Sequence, residues 1–240
     1  MSRSTMRTLC SITAVLGLSV LTASAQPMLQ MTLWSDAPGD TPQMWNPSGS
    51  QVGPDTWQYQ GSMTDPDAHW TIDWDYLVDP DPFIAANFTL VNTFSSTLTF
   101  NLVSTLPVAF PLPAPTLMGG STGGSITDAN FDGIGTAATA APDAFYRGLI
   151  DGAAVLPIYP DPSSWSVPFA GGTATIPAVN AGLPGPTLPG PAVLSDIGIH
   201  HTFTLTPGDS IAVTSFFVVV PEPSSLLLLA IGGVFAARRR

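Results

Sequence analysis

The sequence runs to 240 residues with a formal net charge of −11, and it contains no Lys. Arg3 and Arg7 open it, Arg238, Arg239 and Arg240 close it, and between them only Arg147 is basic, against sixteen Asp and Glu222. So anionic a body repels nucleic acid and anionic lipid, which makes both poor partners.

The same charge draws divalent cations, above all Ca²⁺, which prefers carboxylate and carbonyl oxygen; it also serves plain solubility in a salty exterior. The 25 Pro and 22 Gly favour turns and short strands over long helices. Cys10 is the only cysteine. It lies in an N-terminal apolar run, and removal of that run leaves no thiol for a disulfide, a thiolate zinc site or a nucleophile.

Residues 1–25 have the layout of a secretory signal peptide. Arg3 and Arg7 give a positive start, Leu9 to Leu21 an apolar run, and Ala23-Ser24-Ala25 a small-x-small site. Signal peptidase is expected to cut after Ala25. The apolar run is short for a membrane span.

Residues 26–219 form the part that must fold, about 195 residues, enough for one domain with a proper core. Trp70, Ile72, Trp74, Tyr76 and Val78 alternate with Thr71, Asp73 and Asp75, which predicts a half-buried strand. Asp79-Pro80-Asp81-Pro82 breaks it. A second strand is expected over 84–93 and a third from Thr97, with Ser95-Ser96 between them as a hairpin turn. From Leu106 to Asp196 the pattern weakens to short strands at 145–150, 154–159 and 173–179. Residues 180–191, rich in Pro and Gly, read as a loop. A second hairpin is expected at 197–205 and 211–219, turned by Pro207-Gly208-Asp209. No internal repeat and no long 3.6-residue period exist. The predicted fold is all-β, an antiparallel β-sandwich of jelly-roll-like kind, flanked by the signal peptide and a short C-terminal hydrophobic helix.

Residues 220–240 form a tail in three parts. Pro221-Glu222-Pro223 marks a boundary, because neither proline continues a strand or enters a helix interior. Leu226 to Ala237 is apolar, with Gly232-Gly233 within it. As a helix it spans about 18 Å, less than the roughly 30 Å hydrocarbon core, so snorkelling Arg side chains or bilayer thinning must help it cross. The cluster Arg238–Arg240 should stay cytoplasmic, which puts the domain outside. Motif, apolar run and basic end in this order resemble the PEP-CTERM sorting signal of Gram-negative bacteria. The same kind of tail also goes under an ice-binding-protein C-terminal label, which describes the tail and not ice binding. The resemblance covers about 20 residues. It implies an exosortase-type enzyme as partner, with Pro221, Glu222, Pro223 and Arg238–Arg240 as the sorting residues. It further implies transient inner-membrane anchoring, then release to the cell surface or an extracellular polysaccharide matrix. It implies nothing about what the domain does.

Within the domain, Asp128-Ala129-Asn130-Phe131-Asp132-Gly133 matches the first half of an EF-hand-type loop, so Asp128, Asn130 and Asp132 are candidate Ca²⁺ ligands. The twelfth position is Thr139, so the bidentate Glu is missing; an ordinary Asx turn fits as well. The acidic stretch Asp65, Asp67, Asp73, Asp75, Asp79 and Asp81 is a second cation candidate, though Asp-Pro pairs are common loop openers. The six Trp offer a sugar-stacking platform or, for Trp70 and Trp74, a core stripe. Thr-rich strand faces lack the regular array of an ice-binding surface. For catalysis the inventory is thin. His69 is alone, and His200 and His201 point to opposite faces of one strand. No nucleophile elbow, phosphate loop or His-Glu-x-x-His is present. An Asp pair for glycoside hydrolysis is conceivable, but nothing selects two among sixteen. Arg147 is expected to pair with a structural Asp. The sequence therefore points to a non-enzymatic surface or matrix protein of structural or adhesive type, with no certain cofactor. A carbohydrate-binding module using Trp and Ca²⁺ is the alternative, and a glycoside-acting enzyme the less favoured one.

Overall fold

A computed structural model describes residues 26–222. Ala23, Ala25, Pro223, the apolar run 226–237 and Arg238–Arg240 lie outside the described residues. The sixteen strands, in chain order, are β1 (Gln30–Ser35), β2 (Gln43–Trp45), β3 (Gly49–Gln51), β4 (Trp57–Thr64), β5 (Trp70–Asp79), β6 (Phe83–Asn92), β7 (Leu98–Pro107), β8 (Thr116–Thr127), β9 (Thr136–Ala138), β10 (Tyr146–Ile150), β11 (Ala153–Ile158), β12 (Ser164–Ser166), β13 (Thr173–Ala181), β14 (Leu188–Gly190), β15 (Asp196–Leu205) and β16 (Ser210–Pro221). All pairings between them are antiparallel. The first sheet runs β11-β10-β15-β7-β1-β2, with β9 also on β15 and β12 on β9. The second runs β13-β8-β16-β6-β5-β4-β3, with β14 also on β8. Among the described residues there is no helix. The all-β sandwich expected from the sequence is the fold observed.

Alternation put the right side chains inside. Trp70, Ile72, Tyr76 and Val78 of β5 are buried, with Ile84, Phe88 and Leu90 of β6 beside them. They meet Phe100, Leu102, Phe203 and Leu205 of the other sheet. Phe203 sits 5.9 Å from Phe100 and 6.5 Å from Phe88, so it bridges the layers. Three buried polar ties also cross. Tyr76 and Ser104 hydroxyls are 3.0 Å apart, Tyr146 Oη donates to Phe216 O at 2.8 Å, and His201 Nε2 lies 2.8 Å from Ser215 Oγ. Each satisfies a group that would otherwise be costly to bury.

The expected hairpins need correction. β6 and β7 belong to different sheets, and so do β15 and β16. Residues 93–97 and 206–209 are crossings between layers, not hairpin turns. Asn92, fully buried, fixes both: its Nδ2 donates to Ser96 O and Leu205 O, and its Oδ1 accepts from Phe94 N. Its backbone ties to Asp209 O and Gly208 N. A period of two is the same for paired strands and for facing ones, so pattern alone does not separate them. β5 and β6 do form a hairpin, closed across Asp79↔Phe83 by the Pro-rich segment read as a break. The segment 180–191 is also more regular than expected, since Leu188–Gly190 pairs with β8.

Registers fix the geometry of the ends. β16 finishes at Pro221 opposite Thr116, and β1 begins at Gln30 opposite Thr105. Both termini of the described domain therefore leave from one pole. The ends of β1 and β8, the start of β5 and both crossings lie at the other, roughly 40 Å away along β16.

The buried His201 makes stability depend on pH. Burial, with His200 adding a little, pushes its pKa down to about 3. The unfolded chain takes up a proton below about pH 6.5 and the fold does not, so stability is full above that value and erodes as pH falls towards 3. Urea unfolding at pH 7 and pH 5 should show a loss of about 2 kcal/mol from this residue. His201→Gln should be less stable at pH 7, yet lose less between the two values.

Candidate functional site

Four polar constellations stand out, two at the pole away from the termini and one on each outer face. At that pole the 128–134 loop closes on itself. Asp128 Oδ2 accepts from Gly133 N at 2.8 Å and Gly171 N at 3.0 Å. Burial alone would raise its pKa, but the backbone amides of Gly171, Gly133, Phe131 and Asp132 hold it below the usual carboxylate range. Asn130 Oδ1 accepts from Asp132 N, and Asp132 Oδ1 from Ile134 N. Asn130 Nδ2 donates to Asp132 Oδ2 and Pro207 O. The oxygens of Asn130 and Asp132 are thus occupied by the loop's own donors, as in Asx turns. Neighbouring Asp209 is fully buried, and burial, together with the charges of Asp128 and Asp132, raises its pKa.

The second constellation at this pole joins Asp40, Asp65 and His69. One ligand atom from each lies within 4.8 Å of the others. Asp40 follows β1 in the first sheet; Asp65 and His69 flank the β4–β5 turn of the second. Ser35 N donates to Asp40 Oδ2 at 2.6 Å, which leaves Asp40 Oδ1 buried and unpaired. Asp65 Oδ2 accepts from His69 N at 3.1 Å and lies 3.0 Å from His69 Nδ1, without the alignment of a hydrogen bond. Ala68 at φ 58° turns the chain back over Asp65. His69 is therefore not alone, as sequence spacing implied. Of the acidic stretch, Asp65 joins it, and its second carboxylate comes from Asp40, 25 positions away. The turn signal Asp65-Pro66 was visible; the approach of the 35–40 loop was not.

On the outer face of the second sheet, a depression of about 420 Å³ is lined by Asp73, Asp75, Asn87, Thr89, Ser125 and Thr214. Asp75 accepts from Gln58 and Gln60, and Thr214 Oγ1 donates to Asn87 Oδ1. On the outer face of the first sheet, Arg147 Nη1 donates to Asp143 at 2.5 Å, the structural pairing expected for it. Its Nη2 bonds His200 Nδ1 and Thr202 Oγ1, both at 2.9 Å. Burial, then the Arg147 charge, pushes His200 down to about 4, against a smaller opposing effect of Asp143, so its ring accepts as a neutral base. Trp34 packs on His200 at 5.9 Å. The other Trp residues form no sugar platform: Trp57, Trp70 and Trp74 are buried, Trp45 packs on Trp74 at 5.4 Å, and Trp165 sits against Phe145 and Tyr159.

The depressed Asp128 contributes stability that is present above the usual carboxylate pKa and lost as pH falls through its folded value. Asp128→Ala should speed limited proteolysis within 129–134 at neutral pH, whereas Asp128→Asn, which keeps an acceptor, should recover most of the protection.

Among the described residues no helix is long and apolar enough to cross a membrane. No curated protein matches the chain. At the C-terminal side, β16 ends at Pro221, and Glu222 N donates to Pro115 O at 3.3 Å, so the tail departs directly from a central strand. A family model described as PEP-CTERM protein-sorting motif matches residues 219–240. The chain thus carries a PEP-CTERM protein-sorting motif, the signal for export and membrane-associated processing by an exosortase-type enzyme.

Proposed function

We propose that this protein is a structural or adhesive component of the cell surface or extracellular matrix, held in the inner membrane by its tail and then released. The carrying observation is the sorting motif at 219–240, which continues straight out of β16. Because both domain termini leave from one pole, the opposite pole faces away from the membrane during processing. That far pole carries exposed Phe131, Ile134 and Phe169. The Phe131 ring lies against Gly171, so the 131–134 and 169–172 loops adjoin. Exposed apolar side chains gathered on adjoining loops favour contact with a partner surface, and aromatic faces suit sugar rings. Extracellular polysaccharide is the partner this reading names.

No catalysis is part of the proposal. Both carboxylate oxygens of Asp75 are engaged by Gln58 and Gln60, and Arg147 is tied into its own sheet. The Ca²⁺-dependent carbohydrate-binding module finds less support, since three of the six Trp are in the core.

Mass spectrometry of the protein recovered from its native host should find chains that begin after Ala25 and lack Arg238–Arg240, in the medium or at the surface. Envelope-bound chains that keep Arg238–Arg240 would sink the sorting half of the proposal. For the adhesive half, a glycan array probed with and without EDTA is the measurement. Chelator-independent binding, weakened at least tenfold by Phe131→Ser with Phe169→Ser, is expected. Binding lost with EDTA would favour the cation-dependent module, and absence of binding would leave packing as the role.

A further inference from the structure

The Asp40–Asp65–His69 group has no counterpart in the sorting function. Two of its three members are buried, Asp40 is partly so, and no Lys or Arg among the described residues pairs with it. Asp65 is 3 % exposed and His69 8 %. Arg147, the only Lys or Arg between residues 26 and 222, is engaged on an outer face by Asp143. Two carboxylates and an imidazole thus converge at one place, with one atom of each within 4.8 Å of the others. Asp40 Oδ1 and His69 Nδ1 are, in addition, buried with no hydrogen-bond partner. Ordinary buried polar atoms are paired, so two orphans in one cluster mark a place for something else.

We infer that Asp40, Asp65 and His69 form a divalent metal site, with Zn²⁺ or a similar first-row ion as its occupant. The donor set decides the ion. An imidazole with two carboxylates suits zinc-like ions, whereas Ca²⁺ and Mg²⁺ take oxygen ligands throughout. Three protein ligands leave a position for water or for a donor from a partner. A bound ion at about 2.0–2.2 Å from each ligand needs the three atoms somewhat closer together than 4.8 Å. Asp40 sits on a partly exposed loop and its Oδ1 has no hydrogen-bond partner, so a small shift of that carboxylate would close the gap. The consequence is mechanical: Asp40 belongs to the loop after β1 and the other two to the β4–β5 turn, so the ion ties one sheet to the other at the pole away from the tail. In an exterior without thiols, such a tie takes the place of a disulfide.

The purified full chain in detergent, stripped with EDTA, is titrated with ZnCl₂ in a calorimeter. One equivalent should bind and raise the unfolding temperature. Asp40→Asn keeps an acceptor for Ser35 N and should weaken binding at least tenfold. Asp67→Asn, an exposed acid in the same turn, should bind as the parent chain does. His69→Gln, measured alongside, covers any loosening of the 35–40 loop in the first variant. No zinc uptake by the parent chain, or parental affinity in both Asp40→Asn and His69→Gln, overturns the site.

Discussion

The inward faces of the two sheets can be buried only against each other, and this requirement dictates the chain path. Phe100 and Phe203 from one layer and Phe88 and Trp70 from the other are covered because the layers close. A sheet with one wet face and one dry face has no other stable arrangement at this size. The chain must therefore cross between layers, and Asn92 holds two of those crossings together with bonds from a single buried amide. Tyr76, Tyr146 and His201 add polar ties across the interface, each pairing its own buried group with one on the other sheet. Of these, His201 carries a proton-linked cost in acid, so closure of the sandwich and tolerance of low pH are coupled through one side chain.

Polarity along the strands follows from the same closure. Because β16 is a central strand that ends at Pro221, the sorting tail is anchored in the core's own ladder. A pull on the end of β16 is borne along the strand direction, and the far pole lies the length of β16 away from that end. That pole gathers the exposed Phe131 and Phe169, the self-bonded Asp128 loop and the Asp40–Asp65–His69 group. The outer faces are quieter: one holds the Arg147–His200 network, the other a shallow depression whose Asp75 is already bonded.

Legibility in the sequence was uneven for identifiable reasons. The stripe Trp70–Val78 was clear because a half-buried strand writes its burial every second residue. β8 was not seen, since Gly119, Gly120, Gly123 and Gly124 look like loop. In the fold these glycines permit close packing: a Cβ on Gly124 would stand 2.1 Å from Ala212 O, and one on Gly120 2.7 Å from the Tyr146 hydroxyl. Short strands such as β9, β12 and β14 exist by pairing with neighbours and have no signal of their own. The candidate ligands at 128–132 were found by spacing, which also describes an Asx turn. The trio at 40, 65 and 69 has no spacing to find.

By itself the sequence determined the class of fold and the sorting tail, and with the tail the signal for export. Those properties are written in contiguous runs: an alternating stripe, and a Pro-Glu-Pro motif followed by Leu and Arg. Tertiary structure alone decided which strands pair, which face across the core, and which acids meet His69. Each of those outcomes depends on residues distant in the chain whose proximity is set by closing two layers, and period-two alternation is identical for a hairpin partner and for a strand in the opposite sheet.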